Sequence, residues 1–220
     1  MLSNTKSASF RLVIASGNAV ALLCLVYAAV LAGGLITLPS PDEQIQNPWF
    51  TLMEVLILAI APLMVAFAVG MHSHAQQEQK SIALLGVVFM SMCAAVTCLV
   101  HFTVLTLSRQ PAAVAAAWAP LVFAFAWPSV VYALEILAWD FFFPLGALFL
   151  ALATQPTGNH RLVKGLLLGS SALSFIGLAG VPLANMHVRN IGIVGYAVLF
   201  PIAALLLAVT LKRERAECAA

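Results

Sequence analysis

Six long apolar runs dominate this chain, and they leave it one class of fold. A membrane helix needs about 20 mostly apolar residues to cross a hydrocarbon core of about 30 Å. Runs of that kind lie at 12–38, 49–71, 81–107, 128–154, 162–183 and 191–211. Inside lipid a backbone must satisfy its own N–H and C=O groups, which a helix does within each segment. The expectation is an all-α integral membrane protein, a bundle of six transmembrane helices forming a single domain over 1–220. Composition agrees, since 63% of the chain is hydrophobic and 8% charged, against about 25% charged in a soluble domain. So few charges cannot cover a surface that faces water. The net charge of +2 comes from scattered basic residues, which points away from a nucleic-acid partner.

Lys6 and Arg11 precede the first run, as the basic start of a signal peptide would. A secretory core, however, is only about 7–15 residues long. The run is therefore expected to stay in the mature protein as the first span. Cys24, Cys93 and Cys98 fall inside apolar runs and Cys218 near the end, with no metal-finger spacing and no disulfide framework. The stretch Pro111–Trp127 is apolar but carries Pro111 and Pro120, with Pro128 just beyond. Proline removes a donor and clashes with the previous turn, and Trp118 and Trp127 suit a membrane–water boundary. This stretch is either a short interfacial or re-entrant segment at 111–127 or the start of a very long fourth helix.

Orientation follows from lysine and arginine. With the N-terminus inside, one side holds Lys6, Arg11, Lys80, Arg161, Lys164, Lys212, Arg213 and Arg215, and the other holds Arg109 and Arg189. The positive-inside rule then puts both termini in the cytoplasm, while Asp42 and Glu43 on the outer side carry little weight. Compact spans and short loops suggest a bacterial inner membrane. No convincing internal repeat relates the first three spans to the last three, which argues against transporters built from inverted repeats.

Four ionisable residues interrupt the spans: Glu54, His101, Glu135 and Asp140. Each costs a few kcal/mol in a bilayer unless it finds a partner or water. At about 1.5 Å of rise per residue, Glu54 lies roughly 7 Å below the outer end of its helix and His101 and Glu135 roughly 10 Å, while Asp140 lies near the midplane at roughly 18 Å. Consecutive helices pack as neighbours, so Glu54, His101 and Glu135 are expected to share a polar pocket that opens outward. Cys93, Thr97 and His101 recur at i+4, with Ser108 farther along, to make one polar stripe. Ser129, Tyr132 and Glu135 recur at i+3, with Trp139 one turn on. Asp140 follows Glu135 by five positions, about 140° around an α-helix, so the two carboxylates need not share a face. Pro144 cannot bond the carbonyl of Asp140, which predicts a kink there, and Pro62 and Pro201 are expected to kink the second and sixth helices. Gly165 and Gly169 form a G-x-x-x-G, Gly177 with Gly180 adds small surface on the same helix, and close helix packing is expected of them. On the outer side Arg109, His187 and Arg189 are placed to guard the pocket mouth or pair with Glu54, and His72 and His74 are expected at a solvated loop end.

The expected ligand-binding set is Glu54, Thr97, His101, Tyr132, Glu135, Trp139 and Asp140. Aromatic walls with a few polar groups are how small-molecule sites are built, and carboxylates beside aromatic faces suit a cation. The first reading is a protein that binds a lipophilic or cationic small molecule. A second is an intramembrane enzyme acting on a lipid or isoprenoid, with Glu54, His101 and Glu135 as candidate acid–base groups. Glu and His also ligate zinc and iron, but the chain lacks the His-rich boxes of membrane di-iron enzymes, and neither a metal nor a cofactor is assigned. A third is a proton-coupled transporter. A bundle held only by interhelical polar bonds accounts for the same residues. The expected partners are membrane lipids and a lipophilic ligand. Lipid-facing and protein-facing apolar surfaces have one composition, so the sequence is also compatible with a homo-oligomer.

Overall fold

A computed structural model of the chain describes residues 2–40 and 43–217, with side chains from residue 9 onward. Asp42, Cys218 and the side chain of Lys6 lie outside it. Among the described residues the six helices long and apolar enough to cross a membrane are Ser9–Ile36, Trp49–His74, Gln77–Arg109, Val130–Ala153, Gly158–Leu178 and Met186–Glu217. They are named here the first to sixth spans. Their outer faces are apolar. Leu25 and Leu99, for example, are 69% and 67% exposed, an arrangement water would penalise and lipid accepts. The protein is a polytopic all-α membrane bundle.

Each span packs on its sequence neighbours, and the first closes the ring against the sixth. The helices approach closely where a side chain is missing. A Cβ on Gly86 would lie 3.1 Å from the backbone nitrogen of Leu150, and one on Gly146 would lie 3.2 Å from that of Met90. The third and fourth spans therefore cross almost backbone to backbone, the usual route to tight packing without a hydrophobic driving force. Of the expected G-x-x-x-G, Gly169 does such work, since a Cβ there would lie 3.2 Å from Leu199 of the sixth span, whereas Gly165 is exposed and a Cβ there would meet nothing within 4 Å. Backbone meets backbone at Gly177, as expected from its small size, where a Cβ would come within 3.0 Å of Gly192 on the sixth.

The stretch 111–127 is not the start of the fourth helix. It holds two short helices, Pro111–Val114 and Ala119–Phe123, and the fourth span begins only at Val130. Ser129 sets that boundary, because its hydroxyl accepts from the backbone N–H of Tyr132 (3.1 Å) while donating to the carbonyl of Ala124. The fifth span also ends early, at Leu178 rather than 183, and the chain turns through Ala184 at a positive φ of 50°. Asn185 then caps Met186–Arg189, accepting from the N–H groups of His187 and Val188 at 3.0 and 3.3 Å.

Two spans leave α-helical geometry at matching places. Leu137–Phe142 and Gly195–Leu199 are π-helical, and each stretch is followed by a Phe-Pro pair, Phe143-Pro144 and Phe200-Pro201. Proline excludes the normal bond to the preceding turn, and widening that turn accommodates the loss. Pro62, by contrast, sits inside the continuous helix Trp49–His74. The likeness of the fourth and sixth spans continues past the prolines, with Ala147 and Ala204, Leu148 and Leu205, Leu150 and Leu207, and Ala151 and Ala208 in matching positions. Comparing the first three spans with the last three does not bring this likeness out.

Matching residues also touch. Tyr132 meets Arg189, Trp139 meets Tyr196, and Phe143 meets Phe200, each pair 57 positions apart (189 − 132, 196 − 139, 200 − 143). Residues at matching positions of the fourth and sixth spans thus face one another. Phe67 from the second span packs edge-on against Phe200 at 5.9 Å, and Phe143 packs against Phe200 at 5.2 Å. These three buried rings fill the middle of the bundle. Replacing Gly86 by Val should lower stability by about 1–3 kcal/mol through overpacking, read as a fall in melting temperature in detergent, whereas Gly165→Val should leave it unchanged.

Candidate functional site

Glu54, His101 and Glu135 come from the second, third and fourth spans, and all are buried. His101 lies between the two carboxylates. Its Nδ1 is 2.8 Å from Glu54 Oε2, and its Nε2 is 3.2 Å from Glu135 Oε1. The second contact is off the hydrogen-bond direction, which leaves that nitrogen and that oxygen without an aligned partner. A neutral imidazole has one donor and one acceptor nitrogen. Two ionised carboxylates facing the ring therefore need it doubly protonated, whereas a neutral ring needs one carboxyl protonated. Phe125 stacks on His101 with centroids 5.5 Å apart, and Phe50 meets Phe125 at 6.0 Å. The segment read as interfacial or re-entrant thus sends an aromatic side chain down onto the imidazole. Nothing in its spacing relative to His101 signals that contact.

Asp140 goes elsewhere. Its Oδ2 accepts from Arg189 Nε at 3.0 Å, and the guanidinium also lies 5.2 Å over the ring of Tyr132. Sequence reasoning put Arg189 at a solvated rim, pairing with Glu54 if with anything, but it is only 7% exposed. The reason is local. The turn through Ala184 and the Asn185 cap bring the start of the sixth span back into the bundle, where a buried carboxylate needs a counter-charge. The π turn carries Asp140 toward the sixth span, where it packs against Gly192. Its Oδ1 and the Ser174 hydroxyl have no hydrogen-bond partner. Arg109 reaches Thr51 at 2.8 Å instead of Glu54, and His187 is exposed.

A cavity of about 470 Å³ lies against these groups, between the first, second, fourth and sixth spans. Glu54, His101, Glu135, Tyr132, Trp139 and Arg189 line it, together with Tyr27, Tyr196 and apolar side chains such as Ile57 and Met64. Glu43, Gln44 and Ile45 line it too, so it lies toward the end that carries the first loop. Of the expected ligand-binding set, Thr97 and Asp140 do not line it. Thr97 is fully buried with an unpartnered hydroxyl beneath His101, and Asp140 sits behind Arg189. Cys93 and Thr97 point into the core along with His101, while Ser108 bonds its own helix at the carbonyl of Val104. Sequence reasoning missed Tyr27 and Tyr196, since tyrosines in apolar helices carry no motif, whereas Arg189, expected at the pocket mouth, does line the cavity.

Among the described residues, no three His, Cys, Asp or Glu side chains are grouped to hold a metal ion. The carboxylates of the trio point at imidazole nitrogens instead of converging on a common point. At the opposite end His74 packs edge-on against Phe10 at 4.1 Å and lines a smaller cavity of about 250 Å³, so it is not a solvated loop end. His160 and Glu214, 2.9 Å apart, line the same cavity.

The fold defines a multi-pass membrane protein whose polar groups are gathered beside one cavity. Comparisons with protein-family models, with curated proteins and with solved structures find no match for this chain.

Removing one member of a buried ion pair costs about 3–5 kcal/mol, because it strands the other charge, while replacing both by apolar or neutral groups can be nearly neutral. Arg189→Met should therefore lower the melting temperature sharply, and the double variant Arg189→Met, Asp140→Asn should regain most of the loss. Equal losses in the two proteins would show that the pair contributes little.

Proposed function

We propose that this membrane protein binds a lipophilic, cationic small molecule in the acidic, aromatic cavity. The observation that carries the reading is a buried Glu54–His101–Glu135 trio on the wall of an otherwise largely apolar cavity of about 470 Å³. That size falls in the range of about 300–1,000 Å³ typical of ligand sites. With both carboxylates ionised and the imidazole protonated, the trio keeps one negative charge in excess. Tyr27, Tyr132, Trp139 and Tyr196 add π faces to the same walls, and a cation beside aromatic rings in a dry site gains from both. The alkyl part of the ligand would lie against Ile57, Met64 and Phe200.

In lipid nanodiscs, octyltrimethylammonium should quench or shift the fluorescence of Trp139 saturably. The Glu54→Gln, Glu135→Gln double variant should weaken that binding by about tenfold, the effect of one lost charge contact. Unchanged affinity in a folded double variant would defeat the proposal.

An acid–base enzyme is the second reading, favoured by the imidazole that joins the two carboxylates, since a proton can pass between them through the ring. It requires Glu135→Gln to abolish turnover of a lipid or isoprenoid while leaving binding intact. Transport has less support, because Phe67, Phe143 and Phe200 fill the axis between the two cavities. From the distribution of lysine and arginine we further infer cytoplasmic termini, in a bacterial inner membrane. A C-terminal alkaline phosphatase fusion should then be inactive and a C-terminal GFP fusion fluorescent, and the reverse pattern would invert the topology.

A further inference from the structure

The cavity has a second pole. Arg189 of the sixth span lines it, as Glu54 of the second span does, and only the Nε arm of its guanidinium is bound to Asp140. A guanidinium fixed by one arm still offers the donors of its outer nitrogens, in the planar fork that matches carboxylate and phosphate oxygens. Its position is tightly held. A Cβ on Gly180 would lie 2.6 Å from the backbone nitrogen of Arg189, and one on Gly177 would lie 2.8 Å from its carbonyl oxygen. The Tyr132 ring lies beneath the guanidinium at 5.2 Å. A cation held this firmly at a cavity wall is preorganised for an anion, since it need not be ordered when the ligand arrives.

We infer that the ligand is a zwitterionic amphiphile, with its cationic group toward Glu54 and Glu135 and a carboxylate or phosphate on Arg189. The inference rests on the binding function proposed above and narrows the class of ligand. Tyr132 stands between the poles, in contact with Arg189 and one helical turn before Glu135. A molecule spanning the two groups would therefore lie across that ring. Asp140 does not touch the ligand. It holds the guanidinium and offsets its charge, so that the acidic pole stays acidic.

The test compares octyltrimethylammonium with two N-octyl betaines in nanodiscs, one with a short and one with a longer methylene spacer between ammonium and carboxylate. Wild-type protein should bind at least one betaine about tenfold more tightly than the simple cation, the gain expected from a charge-assisted hydrogen-bond pair. In the double variant Arg189→Met, Asp140→Asn the ratio of betaine affinity to cation affinity should fall to about one. Two results overturn the inference: a wild-type protein that prefers neither betaine, or a preference that survives the double variant. In either case, cation binding that still depends on Glu54 and Glu135 leaves the proposed function standing. Failure of all three probes removes both. The wild-type comparison decides the matter even where the double variant does not fold.

Discussion

A charge within a bilayer must be answered inside the protein, and in this bundle the answers come from different helices. Glu54, His101 and Glu135 join the second, third and fourth spans, and Asp140 with Arg189 joins the fourth to the sixth. An apolar helix surface pairs almost equally well with lipid or with another helix, so packing alone leaves register and rotation loosely set. Each buried charge contact removes that freedom, because moving one helix by a turn would strand its partner in hydrocarbon. The fourth span takes part in both clusters. Its orientation fixes where the trio faces the cavity and where Arg189 can stand.

That double role falls on an irregular helix. In a regular α-helix Glu135 and Asp140 project about 140° apart, and the intervening residues would follow the same spiral. The π turn at Leu137–Phe142 changes the register between them, and such turns are common at functional sites. The matching turn at Gly195–Leu199 does the same for Tyr196. Because both turns precede a Phe-Pro pair, the rings below them, Phe143 and Phe200, meet edge to face near the axis at 5.2 Å. One local device, used twice, thus aims Trp139 and Tyr196 into the cavity above and closes the bundle beneath it.

What the sequence made legible follows from what is local. Six spans could be read from the length of the apolar runs, and the meeting of Glu54, His101 and Glu135 from similar depth on consecutive helices. Asp140 was legible as costly, but its partner was not. Arg189 follows a turn whose path depends on Ala184 adopting a positive φ, a conformation unusual for alanine and unmarked by any motif. Phe125 reaches His101 only because two short helices redirect the chain, and apolar residues between prolines do not say where they will pack. The glycines were legible in part for a related reason. Gly165 and Gly169 have the familiar spacing, yet whether a small residue faces a neighbour is set by helix rotation, so Gly165 meets nothing while Gly169 and Gly177 approach the sixth span.

The two ends of the bundle bear on what such a cavity is for. Toward the first loop lie the trio, Arg189 and four aromatic polar side chains around about 470 Å³. Toward the other end lies a smaller space of about 250 Å³ with His74, His160 and Glu214. Between them, Met64 lines the first cavity and Met71 the second, with Phe67 one turn from each on the same helix. The intervening layer holds Phe67, Phe143 and Phe200, packed edge to face and fully buried. Moving a solute through it would require three interlocked rings from three helices to separate together, against contacts individually small and collectively large. A cavity closed at its base by such a layer, with charges held in place by their own partners, accords with the retention of a molecule proposed above. Passage would need an axis that can open without dismantling the core.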